Sequence, residues 1–179
     1  MQRILLVDDE ISILRALERE LLRSNFHQVE MFTSPTKALA RVGECEFEAI
    51  FADFKMTEMD GITFLEFAHK TQPQAARVLM SGLSDQQMLV NAVNRAHILF
   101  FLSKPWELSE LQSTAEAATE MSVQLRNTER MAIKSKEQER TLAWQWDYIK
   151  RVQQPVSTLP AGKTSSAGWA NNKIHIKSG

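Results

Sequence analysis

The chain has 179 residues, 44% of them apolar and 24% charged, with a net charge of −1. That is enough for one ordinary domain with a buried core plus an extension. No apolar run approaches the ~20 residues that cross a membrane, and the short apolar stretch before Asp8 is too brief for a secretory signal. One cysteine, Cys45, excludes an internal disulfide, so a cytoplasmic location is expected.

The small net charge conceals an asymmetry. Residues 1–125 hold 18 acids and 11 bases, whereas residues 126–179 hold 4 acids and 10 bases. An acidic first part is unsuited to nucleic acid. The bases of the second part are spread along it, which is the pattern of a solvated helix face. Neither a nucleic-acid partner nor a membrane is expected.

Residues 4–7 are four consecutive apolar side chains that stop at Asp8, Asp9 and Glu10. The period then becomes 3.6, with Ile11, Leu14, Leu17, Leu21 and Leu22 on one face. This predicts a strand, an acidic loop and an amphipathic helix, with Asp9 placed to cap the helix. Residues 28–32 form a second predicted strand. Ser34 and Pro35 match an N-cap followed by proline at the first helical position. Ala38, Leu39 and Val42 are that helix's buried side, and Gly43 is its expected end. Residues 47–53 are a third strand, ending at Asp53. Residues 61–70 are a helix that buries Ile62, Phe64, Leu65 and Ala68. Residues 77–81 are a fourth strand, ending in Ser81 before Gly82. Residues 84–94 read as a further helix, and 98–102 as a fifth strand leading to Ser103, Lys104 and Pro105. Five strands alternating with helices imply an α/β parallel sheet covered on both faces.

In a parallel sheet every strand's carboxyl end lies on one edge, where open α/β sheets keep their ligand sites. Four of these ends carry chemically capable residues: Asp8 with Asp9, Asp53, Ser81 and Lys104. Clustered carboxylates repel, and a divalent cation relieves that repulsion. Oxygen ligands in an open aqueous site favour Mg²⁺ over zinc. A cation, a lysine and a small hydroxyl around one carboxylate suit phosphoryl transfer onto it, with Asp53 as nucleophile.

These residues resemble the receiver domain of bacterial two-component response regulators. The resemblance covers residues 1 to about 125 and rests on motifs in order. They are Val7 to Glu10, Asp53 with Met56 and Met59 to Gly61, Met80 to Gly82, and Phe101 to Pro105. It implies a flavodoxin-like doubly wound sheet in 2-1-3-4-5 order. It further implies that Asp8 and Asp9 hold Mg²⁺, that Asp53 is the phosphoacceptor, and that the backbone carbonyl of Lys55 completes the metal shell. Ser81 and Phe101 would be the switch pair, Lys104 the phosphate-pairing lysine, and the bond to Pro105 cis. A sensor histidine kinase or phosphotransfer protein would be the phosphodonor, because His27, His69, His97 and His175 suggest no internal one. Two departures stand out. Thr57 replaces a usual proline, which predicts a less rigid loop, and Phe101 lacks a tyrosine hydroxyl. The side chain of Lys55 is expected beside the phosphorylation site.

Leu108, Leu111, Ala115, Ala118 and Leu125 carry an apolar spacing outward along the last predicted helix, with Ser122 as a polar interruption. Residues 126–152 lack Gly and Pro and continue as helix. They carry Trp144, Trp146, Tyr148 and Ile149, which suit a homodimer contact or a separate protein effector. Residues 153–179 read as a disordered tail. The expected output is a protein–protein event. The alternatives are a receiver fragment whose helix links to a missing output domain, and a phosphohydrolase using Asp53. Lys55 stands where such a hydrolase would place its acid/base aspartate.

Overall fold

The computed structural model describes residues 2–23, 27–82 and 95–152. The helix expected over 84–94 and the tail expected over 153–179 lie outside them. The elements in chain order are β1 (Gln2–Val7), α1 (Ile11–Leu22), β2 (His27–Phe32), α2 (Pro35–Glu44), β3 (Ala49–Asp53), α3 (Gly61–Thr71), β4 (Ala76–Gly82), β5 (Phe100–Lys104) and α4 (Leu108–Val152). Two compact units divide the chain, residues 1–135 and 136–179. Among the described residues no helix is long and apolar enough to cross a membrane.

In the first unit the five strands form one parallel sheet in the order β2-β1-β3-β4-β5. This is the α/β flavodoxin-like arrangement expected. β1 and β3 are buried along most of their length because helices cover both faces, so their central stretches, residues 4–7 and 49–52, are unbroken apolar runs rather than alternations. Alternate residues still part company. Leu5, Val7, Ile50 and Ala52 join Ala38, Val42, Phe64 and Leu65 on one side. Ile4, Leu6, Ala49 and Phe51 join Leu14, Leu17, Leu21, Leu111 and Ala115 on the other. Each fully buried leucine contributes on the order of 1.5–3 kcal/mol.

Several local expectations change. α1 is entered through Glu10, whose side chain makes no cap bond; Asp9 is engaged elsewhere, as described below. Ile11 and Leu22, assigned to the buried face, are each 46% exposed because they lie at its ends. Gly43 does not end α2. The helix runs through Glu44, and the Cys45 N–H closes onto the Arg41 carbonyl at 3.2 Å. Ser34 does cap it, accepting from the Lys37 N–H. β5 begins at Phe100, and Ile98 is buried in the preceding connection. On α4, Leu108 is exposed, while Ser122, read as an interruption, is fully buried on the packed face. Ala115, Ala118, Thr119 and Ser122 are all buried along that face.

Two anchors hold α4 within the first unit. Arg126 donates to the Phe47 carbonyl at 3.0 Å and pairs with Glu46 and Glu48. Gln74 bonds Glu129. In the second unit the described residues are helical, and Trp144 and Tyr148 stack at 5.8 Å, as their four-residue spacing dictates. Leu142, Trp146, Ile149 and Val152 are exposed.

Candidate functional site

The strand order reverses between β1 and β3, and the crevice outside their carboxyl ends is where such folds take ligands. Asp8 directly follows β1, and Asp53 is the last residue of β3. Ser81 lies near the end of β4, beside Ser103 of β5, and Lys104 ends β5. The edge shared by the predicted residues is therefore real. Lys104 reaches past β4 to donate to Asp53 Oδ1 at 2.5 Å and to Asp8 Oδ2 at 2.7 Å. The Lys104–Pro105 bond is cis, as the resemblance implied.

Backbone N–H groups hold the remaining carboxylate oxygens. Glu10 N donates to Asp8 Oδ1 at 2.9 Å, and Lys55 N to Asp53 Oδ2 at 2.8 Å. Both are local turns in which an aspartate accepts from the N–H two residues on. Asp9 is held differently: its Oδ2 accepts from Thr57 N at 3.1 Å, across 48 residues of chain. The position expected to loosen this loop instead carries a tether that a proline, lacking an N–H, has no means to make.

Below the site, α3 begins almost in contact with β3. Asp60 caps it, accepting from Thr63 N and Thr63 Oγ1. A Cβ on Gly61 would lie 2.1 Å from the Asp53 carbonyl oxygen. Gly61 N in turn donates to the Phe54 carbonyl at 3.0 Å. The glycine lets the loop after Asp53 close into a tight return. The sequence marked Gly61 as the start of a helix and as part of a motif, but not as a point of close approach to β3.

Burial pushes the Asp8 carboxyl above its ordinary pKa, more than the Lys104 and Glu10 hydrogen bonds lower it; the nearby Asp53 charge adds to the rise. Burial would depress Lys104, but hydrogen bonds to Asp53 and Asp8 outweigh it and hold the ammonium above its usual value. One oxygen from each of Asp8, Asp9 and Asp53 lies within 4.8 Å of the others. Three carboxylates facing one ammonium leave an excess of negative charge, with oxygen donors alone around it. A hard divalent cation such as Mg²⁺ fits that donor set.

Ser81 is buried and Phe101 is 39% exposed. Lys55 is exposed, and its N–H donates to Asp53.

Comparison with known proteins agrees with this arrangement. Residues 4–116 match the family model of the response regulator receiver domain. The transcriptional regulatory protein ZraR of Salmonella typhimurium is 36% identical over 115 residues, which are 64% of this chain and 26% of that protein. An uncharacterized protein from Neptuniibacter caesariensis has a crystal structure that superposes with a TM-score of 0.66 at 36% identity, over 70% of this chain and 92% of its own. The signal receiver domain of an HD domain-containing protein from Pseudomonas fluorescens Pf-5 matches with a TM-score of 0.65 at 30% identity, over 70% and 92%. The chain spans about a quarter of the length of the curated relatives it matches.

Proposed function

Given that this chain belongs to the response regulator receiver domain family, we propose that it is a phosphorelay signalling protein whose phosphoacceptor is Asp53. The observation that carries this is the position of Asp53. It ends β3 with Lys104 Nζ at 2.5 Å and Asp8 and Asp9 grouped beside it.

In the proposed reaction an Asp53 carboxylate oxygen attacks the phosphorus of a phosphohistidine on a partner histidine kinase or phosphotransfer protein. The P–O bond forms as the P–N bond breaks, and the imidazole leaves with the electron pair and takes a proton. Lys104 keeps its charge and pairs with phosphoryl oxygens as negative charge builds there. Asp8, Asp9, Asp53 and the Lys55 carbonyl would hold Mg²⁺, which when bound supplies charge neutralisation for the transferring group. Ser81 donates its hydroxyl to the phosphoryl group. Phe101, one strand over and in register with Leu79, responds as the switch aromatic. Only self-phosphorylation from a donor and self-dephosphorylation are assigned to the chain, in the cytoplasm.

The proposed output is a protein contact, through dimerisation along the C-terminal helix with its exposed Trp144, Trp146, Tyr148 and Ile149, or binding of a separate effector. A second reading has the helix after residue 125 as a linker to an output domain. It is favoured by relatives described as transcriptional regulators, of which this chain spans about a quarter. Nucleic-acid contact is assigned to neither the receiver nor its helix.

The test is incubation with acetyl phosphate and Mg²⁺. Wild type gains a base-labile phosphoryl adduct that Asp53→Ala does not; an adduct of equal yield on the variant rejects Asp53. Molar mass by light scattering, with and without the adduct, then tests dimerisation, and an unchanged mass removes it.

A further inference from the structure

We infer that Thr57 is a positioning residue for the cation site, acting through its backbone N–H on Asp9. The inference rests on the reading that Asp8, Asp9 and Asp53 together hold a divalent cation. Two of those carboxylates are already fixed. Asp8 and Asp53 are buried, each accepts from the N–H two residues on, and each receives Lys104. Asp9 has none of these restraints. It is exposed, and it faces two like charges that drive it toward solvent whenever no cation is present. The hydrogen bond from Thr57 N to Asp9 Oδ2 opposes that drift and leaves the other oxygen for the ion. A charge-assisted bond of this kind fixes both position and charge. It also ties the loop after β1 to the loop after β3, so the third ligand is set by the same segment that carries Asp53. The Thr57 side chain plays no part in this contact; any residue with an N–H at 57 keeps it, and proline removes it.

The experiment is Mg²⁺ titration of the full chain by calorimetry, comparing Thr57→Ala with Thr57→Pro. Alanine keeps affinity within about twofold of wild type, while proline weakens it about fivefold, the worth of one modest hydrogen bond. Proline also restrains Met56, so the pair is repeated with Asp9→Ala, where the two variants become equal. Equal affinities of Thr57→Ala and Thr57→Pro in the chain that keeps Asp9 overturn the inference, as does a gap between them that persists in Asp9→Ala. Hydrogen exchange of the Thr57 amide gives a measurement independent of how the proline variant folds. Exchange quickens about fivefold in Asp9→Ala, and an unchanged rate overturns the inference. Failure of wild type to bind Mg²⁺ rejects the cation reading itself. Binding without a Thr57→Pro effect rejects only the role of Thr57.

Discussion

Lys104 Nζ stands 2.5 Å from Asp53 Oδ1, although β4 lies between their strands. The ammonium is partly buried and its pKa is raised, so it stays charged at neutral pH. Its contribution to stability is fully present below the unfolded value of 10.5 and is lost only as pH climbs through the higher folded value. Lys104→Ala is expected to slow adduct formation on Asp53 about 10²-fold, the usual scale for losing one electrostatic contact to a transition state. Intact-mass kinetics with acetyl phosphate and Mg²⁺ measure this. A rate equal to wild type would leave the lysine a structural role only.

Asp8 sets a pH dependence of opposite sense. Its folded pKa lies above the unfolded 3.8 because burial penalises the charged form. The folded chain therefore binds that proton more tightly than the unfolded one. Its stabilising contribution is present at low pH and disappears as pH rises from the unfolded value through the raised one. Thermal melts in chelator from about pH 4 to about pH 7 should show wild type losing stability relative to Asp8→Asn. Parallel profiles for the two proteins would contradict the raised pKa.

Gly61→Ala tests the closeness of α3 to β3. Alanine is normally the better helix former by about 1 kcal/mol. Here its Cβ meets the Asp53 carbonyl, whose oxygen is backbone with little freedom to turn aside. The clash should win, lowering unfolding free energy by about 1–3 kcal/mol and slowing Asp53 phosphorylation by shifting the strand end. Urea denaturation reads the first effect. A neutral or stabilised variant would mean that the loop relaxes without cost.

Arg77 is a buried guanidinium that donates to the carbonyls of Pro73, Ala75, Ala96 and His97, tying together the connections that lead into β4 and into β5. Burial lowers its pKa to about 10, yet it remains charged at neutral pH. Arg77→Lys keeps the charge but loses the planar fork. Unsatisfied carbonyls should cost about 1–3 kcal/mol, measured by the same denaturation. Unchanged stability would show that lysine or water replaces these bonds.

Much of the site was legible because its residues sit where local patterns change. Asp8, Asp53 and Lys104 each terminate an apolar run, and parallel pairing sends all three to one edge. Asp9 was legible as a member of the acidic edge but misread as the cap of α1, since a cap and an acceptor for Thr57 look alike in sequence. Gly43 misled because a helix-compatible glycine and a terminating one differ only in the backbone that follows. Ser122 misled because a small hydroxyl is readily buried on a packed helix face, so its polarity alone does not mark the exposed side. Arg77 carried no signal at all: an arginine opening a strand reads as solvent-facing until its carbonyl partners are folded around it.

The alternation of apolar runs and 3.6-residue periods, with turn residues between, was enough by itself to determine five strands, a parallel sheet and the list of side chains at its carboxyl edge. Those signals act over one or two turns of chain. Only the tertiary structure decided that Lys104 bridges Asp8 and Asp53, at separations of 96 and 51 residues, and that Thr57 holds Asp9 across 48. Such contacts depend on strand order and on how closely loops return to the edge, and both are settled by packing the two faces of the sheet.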